Sequence, residues 1–407
     1  MVIVISVVGS IVLLLICAVV IAVFRRRKGA KIEEESVPLT NLVITGKKVP
    51  IQSLIRGTMA NPTEEEFARL EENDKQRCNG YTNYQGRKAN KEGNLNLHED
   101  MIPFDHSRVV LKNHIGKSDY VNATWVAKAI KERYDSIDLV PYTPYAKINF
   151  IVTQSPKKNT IPHYLQMVHE NVADAIIAFT NHEGNMLGEV GQCQKYGNTT
   201  VKVNKRANIN PVVLKSEIEL LNPNSCSKCR QNLSFYEFDK WPIPLVSGEF
   251  STEGIKNFLN YFCLLRQELN LSKDELTVIV QDDDGGVGPA ALWIGLYELL
   301  QQIDEVLPTG DDVANTSNKD YGKLDVFDTV NNLRKQRSKM VNSFTNYKLL
   351  FELLQHYVQY KSTFDKVRSE TEIPTEYLLS SEPSPCVYEN VMPDDNLNGG
   401  NSYENSS

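Results

Sequence analysis

LTVIVQDDDGGVGPAA, residues 276–291, runs from a β-branched apolar stretch through a glycine-rich turn into an apolar helical pattern that begins near Ala290. A strand that turns on glycines into a helix points backbone N–H groups at one spot, which makes an anion site. The backbone that would form it is that of Gly285, Gly286 and Gly288. The same turn carries Asp282, Asp283 and Asp284 and no cation. Two unit charges 4 Å apart interact by about 4 kcal/mol at an effective dielectric near 20, so a phosphate dianion facing these carboxylates is disfavoured. Acidic groups at a helix N-terminus are favourable by about 0.3 to 1 kcal/mol each, and Asp283 is expected to fill the cradle itself.

Around this turn lie further short β-branched runs, at Ile148 to Thr153, Ala175 to Thr180 and Val201 to Val203. Helical spacing of apolar residues marks Thr252 to Leu269, Ala290 to Ile303 and Thr345 to Tyr360. This mixture predicts an α/β (α+β) fold with a central mixed sheet covered by helices. Thr63 followed by Glu66 reads as a capping box, which opens a short helix and sets the domain start near Pro62. The expected organisation is a membrane helix with a basic stop over 1–28, a juxtamembrane linker over 29–61, the folded domain over 62–361, and a disordered tail over 362–407.

The membrane assignment rests on Val2 to Phe24, which is uncharged, and on a rise of about 1.5 Å per residue against a hydrocarbon core of roughly 30 Å. Arg25, Arg26, Arg27 and Lys28 follow it and place the C-terminal side in the cytoplasm. The lipid bilayer is thus the first expected partner. The formal net charge of -7 argues against nucleic acid. A reducing compartment predicts free thiols for the scattered cysteines, and the lone Cys226/Cys229 pair lacks the second ligand pair that zinc needs. No metal and no cofactor is expected. In the tail, Tyr377, Tyr388 and Tyr403 stand in acidic sequence, the last two as Tyr-Glu-Asn. These are candidate phosphosites that would recruit SH2-containing adaptors.

PFDHSRV at 103–109, SDYVNATWV at 118–126, IVTQSP at 151–156, Trp241-Pro242 and RSKMVNSFTNYKLLFELL at 337–354 together resemble successive motifs of the protein tyrosine phosphatases, in order and in spacing. The span before them adds a receptor-type character. The resemblance implies a phosphatase fold and, in active members, a loop reading HCSAGVGRTG with a cysteine nucleophile and an arginine clamp. Aligned on Gly286-Val287-Gly288, it puts Asp283 at the cysteine and Pro289 at the arginine. The general acid after Trp-Pro becomes Ile243, the stacking tyrosine becomes His98 in Leu95-Asn96-Leu97-His98, and the water-positioning glutamines become Asn342 and Asn346. The loop is most similar to the inactive distal domains of receptor phosphatases.

The resemblance therefore implies a pseudophosphatase without catalytic residues, acting as an adaptor or regulator in phosphotyrosine signalling. Active receptor phosphatases, or a second copy of the chain, are added as partners. One alternative is an active tyrosine phosphatase. Another is a magnesium-dependent enzyme of the haloacid-dehalogenase type, with Asp282 as nucleophile and Asp284 as acid/base. In that reading Gly310 to Asp312 would be the distal metal motif, but the interval leaves no room for the intervening strands.

Overall fold

A computed structural model describes residues 46–361, apart from 116–117, 127–147, 180–185, 211–212, 224–229, 239–244, 247–248, 271–274 and 308–319. The chain enters through β1 (Val49–Pro50), α1 (Ile51–Ile55), α2 (Glu64–Gly80) and α3 (Tyr84–Gly93). Next come β2 (Arg108–Ile115), β3 (Ser118–Val126), β4 (Ile148–Gln154), α4 (Ile161–Glu170) and β5 (Ala175–Phe179). β6 (Cys193–Tyr196), β7 (Thr199–Asn210), β8 (Val213–Leu221) and β9 (Arg230–Phe238) form a meander, and the short β10 (Leu245–Val246) and β11 (Glu249–Phe250) precede α5 (Thr252–Asn270). The last elements are β12 (Leu276–Asp282), α6 (Pro289–Val306), β13 (Lys323–Leu324), α7 (Val326–Gln336) and α8 (Phe344–Gln359).

Nine strands make one mixed sheet in the order β2-β3-β4-β12-β5-β9-β8-β7-β6. The centre, β4, β12, β5 and β9, is parallel, and the flanks on both sides are antiparallel. Strands buried on both faces read as continuous apolar runs, which is why LTVIV and AIIAF carry no alternation. Val278 and Val280 face the core shared with α5, α6, α7 and α8, whereas Ile279 faces the core under α4. The expectation of a central mixed sheet covered by helices therefore holds.

α6 is apolar on all sides because it is packed on all sides: Ala290 through Leu300 are all buried. Its Trp293 lies against Phe262, Phe179, Phe238 and Phe258, with ring centroids 4.3, 5.9, 5.9 and 6.0 Å away. The N-cap half of the expected capping box forms, with Thr63 Oγ1 accepting from the Glu66 N–H at 3.2 Å, while Glu66 Oε1 accepts from the Tyr347 hydroxyl at 2.9 Å. Part of the stretch read as linker is structured, since β1 pairs with β13 and Leu54 of α1 is fully buried. Its Ile51, Leu54 and Ile55, one helical turn of apolar residues, are too few to announce an element.

No helix among the described residues is long and apolar enough to cross a membrane, and the predicted span lies outside them. So does the tail with Tyr377, Tyr388 and Tyr403. One thiol expectation is overturned: Cys193, exposed on edge strand β6, is disulfide-bonded, while Cys78 and Cys263 form no disulfide. Compartment chemistry argues about persistence of a bond and says nothing of which sulfurs the fold brings together.

Deleting the indole at the centre of the aromatic cluster leaves a cavity the sheet cannot close. Trp293→Ala is expected to cost about 3–5 kcal/mol of unfolding free energy, read from urea denaturation with an unchanged slope.

Candidate functional site

The candidate site is the turn between β12 and α6. β12 pairs with β4 and β5 through its last residue, Asp282, opposite Gln154 and Phe179. Side chains alternate along a strand, so Asp282 shares the face of Val278 and Val280 and points toward α6 rather than outward. Its carboxylate is 1% exposed. Oδ1 accepts from the Gly286 N–H at 2.5 Å, and Oδ2 accepts from the Gly288 and Ala290 N–H groups at 3.1 and 2.9 Å. The cradle is thus filled from inside the fold, and by Asp282 rather than the expected Asp283. Burial pushes the Asp282 carboxyl up to about 7, opposed by the Ala290 and Gly286 N–H groups, which favour its charged form.

Gly285 and Gly286 both take positive φ, +73° and +76°. A Cβ on Gly286 would stand 2.8 Å from the Thr153 carbonyl oxygen, and one on Gly285 would stand 2.7 Å from Met101 Cβ. Only glycine lets the turn press this closely on β4 and on the 98–101 segment. Pro289 occupies the first helical position, where its missing N–H costs the helix nothing but removes a donor from the loop. Asp283 is half-buried and Asp284 is exposed, with its side chain packed over Gly288.

Beneath the turn lies Arg337, 1% exposed. Its Nε and Nη2 both donate to the Gly285 carbonyl, at 3.1 and 2.6 Å. Nη1 donates to Thr124 Oγ1 at 2.8 Å, and Nη2 also donates to Asn122 Oδ1 at 2.6 Å and to the Met101 carbonyl at 3.2 Å. Burial lowers this guanidinium to about 10. Asn122 extends the network, donating to Asn96 Oδ1 and Gln154 Oε1, each at 3.0 Å.

The residues singled out in the sequence fall around this framework. His98 donates from Nε2 to the Asp283 carbonyl at 2.6 Å, which sets it at the lip of the turn. Asn342 donates its backbone N–H to the Val287 carbonyl at 3.1 Å, and Asn346 Nδ2 donates to Asn342 Oδ1 at 2.9 Å. Asp283, Pro289, His98, Asn342 and Asn346 therefore converge on one site. Ile243 and Gly310 to Asp312 lie outside the described residues. Sequence reasoning assigned no role to Arg337, Asn96 or Asn122, although each sits in or beside a quoted motif. It had the signal for Asp282, because strand alternation counted from Val278 points that carboxylate inward. Across the lip, Lys339 Nζ pairs with Asp100 Oδ2 at 2.6 Å, an exposed contact worth little in free energy.

Asp282 as found cannot be the nucleophile of the magnesium-dependent alternative. It is buried, and both oxygens are engaged by backbone donors.

The family described as protein-tyrosine phosphatase matches residues 92–356. Receptor-type tyrosine-protein phosphatase alpha of Mus musculus is 24% identical over 334 residues, 78% of this chain and 34% of that protein. The epsilon protein of Rattus norvegicus is 27% identical over 286 residues, 68% of this chain and 35% of its own length. The C protein of Homo sapiens is 23% identical over 66% of this chain and 18% of its own. The chain thus spans about a third or less of the length of these curated relatives.

A carboxyl raised in the fold from 3.8 to about 7 stabilises the protein fully below pH 4, and that contribution is lost as pH rises through 7. Between pH 5 and pH 8 the parent should lose about 2–3 kcal/mol through Asp282, at about 1.4 kcal/mol per pKa unit. Asp282→Asn does not titrate and should lack that fall, with urea midpoints at the two pH values as the readout. Equal falls in parent and variant would refute the assignment.

Proposed function

We propose that this chain, which belongs to the protein-tyrosine phosphatase family, is a catalytically silent, membrane-anchored member that works by recruiting other proteins. The observation that carries the proposal is the Asp282 carboxylate, which holds the N–H groups of Gly286 and Gly288 that an incoming phosphoryl group would need. In the register of the family loop Asp282 stands where the motif has histidine, next to Asp283 at the nucleophile position. A thiolate attacks phosphorus and is displaced in a second step, and loss of an enzyme's nucleophile costs on the order of a million-fold in turnover. Pro289 offers the transferring group no guanidinium, and Ile243 has no proton to give a leaving phenolate. On this reading the loop is like those of inactive distal domains.

Recruitment then falls to the domain surface and to Tyr377, Tyr388 and Tyr403, whose phosphorylation would offer docking points to SH2-containing adaptors. The apolar segment from Val2 to Phe24 and the receptor-type relatives support an anchored protein with the domain in the cytoplasm. Pairing with active receptor phosphatases, or with a second copy, is the regulatory form of the same function.

The parent should not hydrolyse p-nitrophenyl phosphate. The variant carrying Asp283→Cys, Pro289→Arg, Ile243→Asp and His98→Tyr should stay silent while Asp282 fills the cradle, and adding Asp282→His should release measurable turnover. Turnover by the parent itself would sink the proposal. Stabilisation of the parent by millimolar tungstate in a thermal shift would sink the occupied cradle.

A further inference from the structure

α3 turns Gly86 and Ala89 into the fold and holds Tyr84, Arg87, Lys88 and Lys91 in solvent, at offsets of three, four and seven residues from the first. Tyr84 is 64% exposed. The loop after β4 continues the same ridge. Lys157 Nζ donates to the carbonyls of Asn94 and Asn96 at 2.8 and 3.2 Å, and Asn159 Nδ2 donates to the Gly93 carbonyl at 3.3 Å. These bonds fasten the loop to the C-terminal end of α3 and leave Lys158 exposed beside it.

Several cations elsewhere in the domain are paired with carboxylates: Arg69 with Glu65, Arg108 with Asp119, Arg230 with Glu219, Lys339 with Asp100. Among the described residues, Arg87, Lys88, Lys91 and Lys158 have no such partner, although Glu92 is a neighbour on α3. An uncompensated positive ridge with an exposed aromatic ring suits an acidic peptide. The chain supplies one. Residues 362–407 hold nine carboxylates against Lys366 and Arg368, a formal charge of -7, which equals that of the whole protein.

Length does not prevent the encounter. A segment of 46 residues extends to about 150 Å at 3.3 Å per residue, against a radius of gyration of about 20 Å for a domain of this size. Tethering also puts the two charges together at an effective concentration in the millimolar range.

We propose that the acidic C-terminal segment, residues 362–407, docks in cis on the α3 ridge formed by Tyr84, Arg87, Lys88, Lys91 and Lys158. Docking would hold Tyr377, Tyr388 and Tyr403 against the domain, so that adaptor recruitment and the docked state compete for the same segment. The inference does not depend on whether the loop turns over phosphate, so it can fail while the silent-phosphatase reading stands, and the reverse.

The test is acetylation of individual lysines in the full chain, held in detergent and followed by mass spectrometry. The comparison is a variant with the nine tail carboxylates changed to amides (Asp365→Asn, Glu370→Gln and likewise to Glu404→Gln). In about 0.1 M salt, Lys88, Lys91 and Lys158 should react at least about three-fold more slowly in the parent, while exposed Lys75 and Lys323 react equally in both. The difference should vanish near 1 M salt, where the Debye length falls from about 10 Å to about 3 Å. Carbodiimide should join the ridge lysines to tail carboxylates within one molecule. Equal acetylation rates overturn the proposal. Amides found only between molecules would replace it with a second copy, and protection that appears only with phosphatidylserine vesicles would replace it with a membrane surface.

Discussion

A fully buried guanidinium is the constraint on which the rest of the site depends. Taking Arg337 out of water costs several kcal/mol unless its donors are matched, and here they are matched by parts of the chain far apart in sequence. Met101 comes from the segment after α3, Asn122 and Thr124 from β3, and Gly285 from the turn. Losing the Gly285 carbonyl would strand Nε and losing Thr124 Oγ1 would strand Nη1, while Nη2 is shared among Gly285, Asn122 and Met101, so the three segments are held as a unit. The turn's shape follows from that unit and from the two positive-φ glycines pressed on Thr153 and Met101. It does not require a nucleophile, a clamp or a bound phosphate.

That independence explains how the turn can carry three aspartates. A loop whose N–H groups converge must satisfy them, with an anion, with water or with a side chain. Asp282 comes from the end of a central, largely buried strand of the sheet and reaches three of them without leaving the interior. The cost is a carboxyl titrating near neutrality in a dry site, moderated by the field of Arg337. Asp284, by contrast, is left in solvent, where like charges are screened, and Asp283 is half-buried beside it.

Much of the fold could be read from the sequence because its centre is built from simple signals. The runs at 148–153, 175–180 and 276–280 became β4, β5 and β12, and the three long stretches with apolar residues at helical spacing became α5, α6 and α8. α4, with Pro162 and two histidines, has a mixed composition that hides its buried face, and β8 and β9 have polar residues interleaved among their apolar ones. The site was legible as a set of positions: His98, Asp283, Pro289, Asn342 and Asn346 do converge. What the reading missed was direction. Aligning glycines says which residue stands at which step of the turn, whereas the strand's period of two says which carboxylate faces inward, and only the second identifies Asp282.

The two kinds of residue also differ in what they can tolerate. Arg337, Asn96 and Asn122 are bound by mutual hydrogen bonds, so a change at one strands the others. Asp283, Pro289 and His98 lie at the lip, where a new side chain meets solvent and disturbs few partners. A substitution at the lip therefore costs the fold less than one in the buried network.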